Sequence, residues 1–180
     1  ITYAKHFGKE GAFITKATAQ LMRDFGCVQS PINAYMLNLG LESLHVRMAR
    51  HCENGQAVAE FLASHPKIAY VNYCGLPGDK YHAVAEKYLP NGSCGVVSFG
   101  VKGGREAAAA FMGHLKIAAI ETHVADARTC CLHPASSTHR QMNDEQLIAA
   151  GVQPDLVRMS CGLEDKNDLI HDIAQALDQI

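Results

Sequence analysis

The segment LVRMSCG at 156–162 places a single arginine, Arg158, in a run that is otherwise apolar or small. Side chains alternate along a β-strand, so a strand here would separate the arginine from an apolar face. One face would hold Leu156, Arg158 and Ser160, and the other would hold Val157, Met159 and Cys161. A guanidinium is costly to bury without a charged partner, and its planar fork suits a carboxylate or a phosphate. The segment therefore predicts a sheet that holds one arginine toward an anion.

Two interpretations of this anion remain open from the residues alone. In the first, Arg158 binds the carboxylate of a ligand. In the second, it forms an internal salt bridge with a residue such as Asp126 or Glu164.

The order of apolar patterns predicts an α+β fold. Helical periodicity is present over 9–25, 31–39 and 41–65, after a lead-in loop at 1–8. Strand patterns follow Pro66, at 68–74, 95–101, 129–133 and 155–162, and helices alternate with them. We expect a mainly antiparallel sheet of about four strands with helices on one face. The domains would be a helical connector at 1–65 and a small α+β domain at 66–180.

Composition excludes several classes of function. The net charge is −2 and no basic stripe is present, which argues against nucleic-acid binding. No apolar run approaches the roughly 18 residues that span a membrane. The seven cysteines are odd in number and lack a C-x-x-C pair, which predicts free thiols, a reducing cytoplasm and no metal cluster. The chain starts at Ile1 rather than Met, so we expect a piece of a longer protein.

Histidines supply the other candidate positions. His123, in ETHVADARTC, could donate to a ligand carboxylate, act as an acid or base, or be a satisfied structural residue. His133 and His139 flank PASST, whose hydroxyls could line an anion site or satisfy one another within the loop.

Several blocks, in order along nearly the whole chain, resemble the C-terminal portion of the Cys/Met-metabolism pyridoxal-phosphate enzymes. They are ITKATAQLMRDFG, SPINAYMLNLGLESLHVRMARHCENGQAVAEFL, HVADARTCCLHPASSTHRQM and GVQPDLVRMSCGLEDKNDLIHDIAQAL. The variant VADARTC-x-LHPAS is most similar to the O-acetylhomoserine sulfhydrylase (aminocarboxypropyltransferase) branch. The lyase and synthase branches usually carry a Ser-x-Gly-Gly…Glu-Ser pattern where this chain has residues 123–129.

The resemblance implies the small C-terminal domain of a fold-type I enzyme, normally a cytoplasmic homotetramer. Arg158 falls on the family arginine that binds the substrate α-carboxylate. His123 falls where other branches place Ser or Asn near cofactor and substrate. The Schiff-base lysine and the pyridoxal 5'-phosphate site would lie upstream of Ile1, in a large N-terminal domain. Lys16 aligns with a helix beyond that lysine, so this chain would contain no catalytic residue and would be inactive alone.

For the intact protein, the resemblance implies a transferase of methionine biosynthesis. It would make homocysteine or methionine from O-acetyl-L-homoserine and sulfide or methanethiol. A methionine γ-lyase or a cystathionine γ-synthase is the alternative within the family. A non-catalytic α+β module for binding or oligomerisation is the alternative from another class.

Overall fold

The computed structural model describes residues 2–180, which form two compact units that divide between Ser43 and Leu44. The first unit is helical. It contains α1 (Thr2–Lys16), a π-helical segment (Ala17–Met22), α2 (Arg23–Phe25) and α3 (Pro31–Glu42). The predicted loop at 1–8 is wrong over its described part, since these residues are helical up to a break at Gly8, where φ is 72°.

The second unit combines five helices with five strands. The helices are α4 (Leu44–Ser64), α5 (His82–Tyr88), α6 (Gly104–His114), α7 (Asp144–Ala149) and α8 (Lys166–Asp178). The strands are β1 (Ile68–Asn72), β2 (Val96–Val101), β3 (Ala119–Ile120), β4 (Cys130–Leu132) and β5 (Leu156–Ser160). A short 3₁₀ turn spans Pro134–Ser136. Side-chain caps start two of these helices, at Asn143 and Asp165.

The α+β class is confirmed, but the sheet differs from the expected four antiparallel strands. It has five strands in the order β1-β2-β5-β4-β3, and β3 pairs with β4 in parallel. The other neighbours are antiparallel. The additional strand is only two residues long. The Asp172 carboxylate of α8 fixes the residues directly before this strand. Its Oδ2 accepts hydrogen bonds from the backbone N–H groups of Ile117 and Ala118 at 2.9 and 3.1 Å.

The hydrophobic core lies between one face of the sheet and helices α4, α6 and α8. Alternate residues of the two central strands reach it, as the period of a strand requires. The fully buried members include Val97 and Phe99 of β2, Val157 and Met159 of β5, Leu62 of α4, Phe111 of α6 and Ile173 of α8. The rings of Phe99 and Phe111 meet edge to face with centroids 5.7 Å apart, a favourable aromatic geometry.

Helix α4 accounts for the difference between the observed division and the predicted boundary at residue 65. Val58 and Leu62 of this helix are fully buried in the core of the second unit. The interpretation of 1–65 as a connector in a larger enzyme stays a prediction.

None of the helices within residues 2–180 is both long enough and apolar enough to cross a lipid bilayer.

Candidate functional site

Arg158 lies on the central strand of the sheet. Strand β5 pairs with β2 on one side and β4 on the other, where Ser98 and Leu132 are opposite Arg158. Its neighbours Val157 and Met159 are fully buried in the core, whereas Arg158 is half-buried on the opposite face. The sheet therefore separates the arginine from the core as the alternation predicted.

A backbone carbonyl, rather than a carboxylate, holds the guanidinium. One terminal nitrogen of Arg158 donates a hydrogen bond to the Thr122 carbonyl oxygen at 2.7 Å. None of the ion pairs formed among residues 2–180 includes Arg158. The hypothesis of an internal salt bridge with Asp126 or Glu164 is therefore wrong. A guanidinium has five N–H donors, so a full positive charge with further donors remains to bind an external anion.

The loop that carries Thr122 is attached to the same strand. Ser160, on the face of Arg158, accepts a hydrogen bond from the backbone N–H of Ala125 at 2.9 Å. The backbone N–H of Leu163 donates to the Ala127 carbonyl at 2.8 Å. Ala125 itself has φ 56°, the left-handed region that costs an L-residue about 1–2 kcal/mol. These bonds hold the loop in a conformation that the chain does not favour by itself.

A buried network fixes the far end of this loop. Glu164 accepts hydrogen bonds from the backbone N–H and the hydroxyl of Thr129, at 2.7 and 2.8 Å. The same hydroxyl accepts the backbone N–H of Gly162 at 2.8 Å. Gly162 has no room for a side chain, because a Cβ there would come within 2.5 Å of the Ala127 carbonyl oxygen. Asn54 of α4 donates to the Gly162 and Glu164 carbonyls at 2.9 and 2.8 Å.

His123 is exposed and lies between two carboxylates. Its Nδ1 is 3.1 Å from Glu121 and 3.8 Å from Asp126. Arg128 pairs with the other oxygen of Glu121 at 3.1 Å. The backbone N–H of Arg128, helped by nearby positive charge, holds the pKa of Asp126 below its usual value. His123 follows Thr122 in the chain, and the Thr122 carbonyl accepts the hydrogen bond from Arg158. One peptide unit therefore connects the two predicted site residues, His123 and Arg158.

Glu121, His123 and Asp126 also present possible metal-ligating atoms within 4.8 Å of one another. The guanidinium of Arg128 already neutralises part of this acidic charge. The ion pairs among these side chains account for the cluster without a metal.

The loop flanked by His133 and His139 satisfies its own polar groups. His133 is buried, with Nδ1 2.9 Å from the Ser136 hydroxyl and Nε2 2.8 Å from the Pro154 carbonyl. The Ser137 hydroxyl donates to the His133 carbonyl at 2.6 Å. This favours the interpretation of the loop as self-satisfying over that of an anion site.

The lysines of the chain do not fit a Schiff-base site, which needs a lysine desolvated to lower its pKa. Lys16 is exposed on α1. Lys67 donates to the Leu177 carbonyl at 2.8 Å, near the end of α8, and Lys166 pairs with Glu53 at 2.8 Å. Every other lysine in residues 2–180 is exposed. Within this chain, no lysine of residues 2–180 therefore has the desolvated setting that a Schiff-base lysine needs.

A cavity of about 890 Å³ lies elsewhere, beside β1 and the start of β5. Tyr70 lines it and donates to Asp155 at 3.3 Å, and burial raises the pKa of this tyrosine well above its usual value. Arg158 is not among the lining residues of this cavity. It lies half-buried on the face of the sheet opposite the core.

The sequence singled out Arg158 and His123, whose role in a site stays a prediction, but it did not indicate the groups that hold them. The Thr122 carbonyl carries no signal in the sequence, because any residue has one. Ser160 carried a weak signal, since it shares a strand face with Arg158.

Comparison with known proteins agrees with this fold. Residues 8–178 match the family model described as Cys/Met metabolism PLP-dependent enzyme. An O-acetyl-L-homoserine sulfhydrylase of Leptospira meyeri is 45% identical over 170 residues, which cover 94% of this chain and 38% of that protein. A homocysteine synthase of Schizosaccharomyces pombe is 42% identical, and the match covers 93% of this chain and 39% of that protein.

A solved structure shows the same fold. It is a putative O-acetylhomoserine (thiol)-lyase of Campylobacter jejuni, 36% identical with a TM-score of 0.83, and it contains N'-pyridoxyl-lysine-5'-monophosphate. The match covers 94% of this chain and 40% of that one. The chain thus spans about two fifths of the length of the relatives it matches.

Proposed function

Because the chain belongs to the Cys/Met metabolism PLP-dependent enzyme family, we propose that it is the C-terminal part of an O-acetylhomoserine sulfhydrylase. The intact enzyme would make homocysteine or methionine from O-acetyl-L-homoserine and sulfide or methanethiol. Pyridoxal 5'-phosphate, the cofactor of this family, supplies an electron sink for carbanions when bound. This chain would contribute the site for the carboxylate of the amino-acid substrate, and it would be inactive alone.

The observation that carries this proposal is the charge state of Arg158. Its guanidinium is half-buried, has no carboxylate partner among residues 2–180 and is oriented by a carbonyl that leaves its charge intact. A substrate α-carboxylate would complete its hydrogen bonds in a charge-assisted pair. Fixing the carboxylate also fixes the rotation of the amino acid, which is a positioning contribution to catalysis.

His123 is proposed as a second contact at the substrate end of the site. Its Nδ1 faces the carboxylate of Glu121, so a neutral ring that donates from Nδ1 keeps Nε2 as an acceptor. Protonation would turn Nε2 into a second donor. The imidazole could thus accept a hydrogen bond from the substrate or donate one to it.

Partners and location follow as further parts of the proposal. Large apolar side chains of α3 are exposed, among them Ile32, Tyr35 and Met36 at 64–72%. Apolar surface of this kind marks a contact with other protein, and we propose that the N-terminal domain and further subunits of a homo-oligomer cover it. The seven free thiols favour the cytoplasm.

The test uses the intact enzyme that contains this chain. Arg158→Ala should raise KM for O-acetyl-L-homoserine roughly 10- to 150-fold, the value of a hydrogen bond to a charged group, and lower kcat less. Arg140→Ala, at an exposed arginine, is the matched control and should leave KM unchanged. An unchanged KM in Arg158→Ala would refute the carboxylate site.

Product analysis distinguishes the related activities. The intact enzyme should form homocysteine from O-acetyl-L-homoserine and sulfide, or methionine when methanethiol replaces sulfide. It should be slow to break down methionine, which a methionine γ-lyase would do, and slow to form cystathionine from cysteine, which a cystathionine γ-synthase would do. For the chain alone, we expect that borohydride reduction in the presence of pyridoxal 5'-phosphate does not label one specific lysine, as measured by mass spectrometry. A single labelled lysine would show that the covalent site lies within this chain.

A further inference from the structure

The chain contains two Asn-Gly dipeptides, Asn54-Gly55 and Asn91-Gly92. In such a pair the glycine has no side chain to hinder its backbone nitrogen from approaching the asparagine side chain. Asn54-Gly55 lies within helix α4, whereas Asn91-Gly92 lies in the turn between α5 and β2. The same dipeptide therefore occurs in two contrasting environments of one chain.

Asn54 is held in place and shielded from solvent. It is fully buried, and its side-chain nitrogen donates to the carbonyls of Gly162 and Glu164 at 2.9 and 2.8 Å. The backbone N–H of Gly55 takes part in the hydrogen bonding of the α-helix. A Cβ on this glycine would lie 2.5 Å from the Cys94 carbonyl oxygen, so the backbone is also closely packed. The Gly55 nitrogen cannot turn toward the Asn54 side chain unless this part of α4 opens.

Asn91 has none of these restraints. Asn91 and Gly92 are exposed, and the Asn91 side chain forms no hydrogen bond or ion pair with any of residues 2–180. The Gly92 N–H donates to the Leu89 carbonyl at 3.2 Å, at the long end of the range for such bonds. Turns at the surface open at much lower cost than the interior of a packed helix. The Gly92 nitrogen is therefore free to approach the Asn91 side chain after a small local opening.

Packing explains why a glycine follows Asn91. Gly92 has φ 129°, a conformation that residues with a side chain rarely adopt. A Cβ on Gly92 would also lie 2.9 Å from the Cβ of Cys52, which is too close for two carbon atoms. The fold thus requires the glycine, whereas no contact among residues 2–180 requires the amide of Asn91.

We propose that Asn91 is a modification site, where non-enzymatic deamidation converts the asparagine to aspartate and isoaspartate. The Gly92 backbone nitrogen loses its proton and attacks Cγ of Asn91. The new C–N bond closes a succinimide ring, and the side-chain amide nitrogen leaves as ammonia. Water then adds to one of the two ring carbonyls and opens the ring, to aspartate at one carbonyl and to isoaspartate at the other. One water is consumed and one ammonia is released, with no oxidation or reduction.

The product changes the surface of a cavity of about 550 Å³, which Asn91 lines together with Glu53 and Glu86. Either product adds a negative charge to a cavity that already holds these two carboxylates. Isoaspartate also adds a methylene group to the backbone directly before Gly92, where the chain packs against Cys52. Deamidation therefore alters both the charge and the shape of this cavity, and this consequence does not depend on the substrate of the intact enzyme.

The experiment incubates the intact enzyme that contains this chain at mildly alkaline pH, which favours the deprotonated nitrogen, and follows its peptides by mass spectrometry. We expect aspartate and isoaspartate at position 91. The rate at Asn54 should be at least about 100-fold lower, because α4 must open first. Asn91→Gln should form no product at this position over the same period, since its longer side chain would have to close a larger ring.

The same enzyme denatured in guanidinium chloride is the matched control. Both dipeptides then lack structure, so Asn54 and Asn91 should react at similar rates. This result would assign the difference in the folded enzyme to the fold rather than to the neighbouring residues in the sequence. No product at Asn91 in the folded enzyme, equal rates at the two positions there, or a slow Asn54 in the denatured enzyme would each overturn the proposal.

Discussion

The Arg158 guanidinium and the Thr122 carbonyl oxygen are 2.7 Å apart and form a hydrogen bond. The arginine comes from the central strand, whereas the carbonyl belongs to a loop that follows the edge strand β3. A carbonyl orients a guanidinium without neutralising it. The hydrogen bond therefore fixes the orientation of the guanidinium and leaves its positive charge in place.

The first prediction concerns the geometry of the charged group at position 158. In the intact enzyme, Arg158→Lys keeps a positive charge but loses the planar fork that binds a carboxylate with two parallel hydrogen bonds. We expect KM for the amino-acid substrate to rise about tenfold, with kcat less affected. Steady-state kinetics measure this, and equal KM values for the lysine and arginine enzymes would contradict a bidentate contact.

The second prediction concerns the strained loop. Ala125 has φ 56°, which glycine adopts without the steric cost of a Cβ. We expect Ala125→Gly to raise the free energy of unfolding by about 0.5–1 kcal/mol, measured by urea denaturation. Ala127→Gly is the matched control, since Ala127 is not at positive φ. It should lower stability by about 0.5–1 kcal/mol, and the same sign for both variants would contradict a role for strain.

The third prediction concerns the buried carboxylate that supports β3. Asp172 accepts hydrogen bonds from the backbone N–H groups of Lys116, Ile117 and Ala118 at 2.8–3.1 Å. Asp172→Ala would leave these donors without their acceptor, so we expect a loss of about 2–4 kcal/mol in the free energy of unfolding.

Asp178→Ala is the control for this variant, because Asp178 is exposed on the same helix. It should change the free energy of unfolding by no more than about 0.5 kcal/mol. A loss of that small size in Asp172→Ala would show that β3 does not depend on this carboxylate.

The fourth prediction is a dependence of stability on acid pH. The backbone N–H of Asn167, at the start of α8, lowers the pKa of Asp165 below its usual value. A group whose pKa is lower in the folded state stabilises it above the unfolded-state pKa of about 3.9 and loses this effect as pH falls through the folded value.

Asp165→Asn keeps an N-cap that does not titrate. Urea denaturation between about pH 6 and pH 3 should therefore show a shallower decline for this variant than for the unsubstituted chain. Identical declines would rule out a contribution of Asp165 to acid sensitivity.

Local patterns predicted the parts of the structure that depend on local physics. The alternation in 156–162 placed Arg158 opposite the core because strand geometry fixes the faces. The helix caps at Asn143 and Asp165 depend on equally local physics, because their side chains accept backbone N–H groups within the same turn.

Distant partners determined what the sequence could not predict. Strand β3 is two residues long, and its approach is held by Asp172, which lies more than fifty residues later in the chain. His133 could have faced a ligand, but its ring meets the Pro154 carbonyl. Such contacts depend on the assembled fold, and neither composition nor periodicity carries information about them.

Arg158 also has a consequence for how the sheet assembles. A one-residue slip of β5 against β2 and β4 would turn its side chains to the opposite faces. The guanidinium would then enter the space of Val157 and Met159, among fully buried apolar side chains, and a charge there has no compensation. Arg158, the residue proposed to bind substrate, thereby makes a register shift of β5 unfavourable during folding. A substitution such as Arg158→Met would make such a shift less unfavourable, in addition to removing the charge.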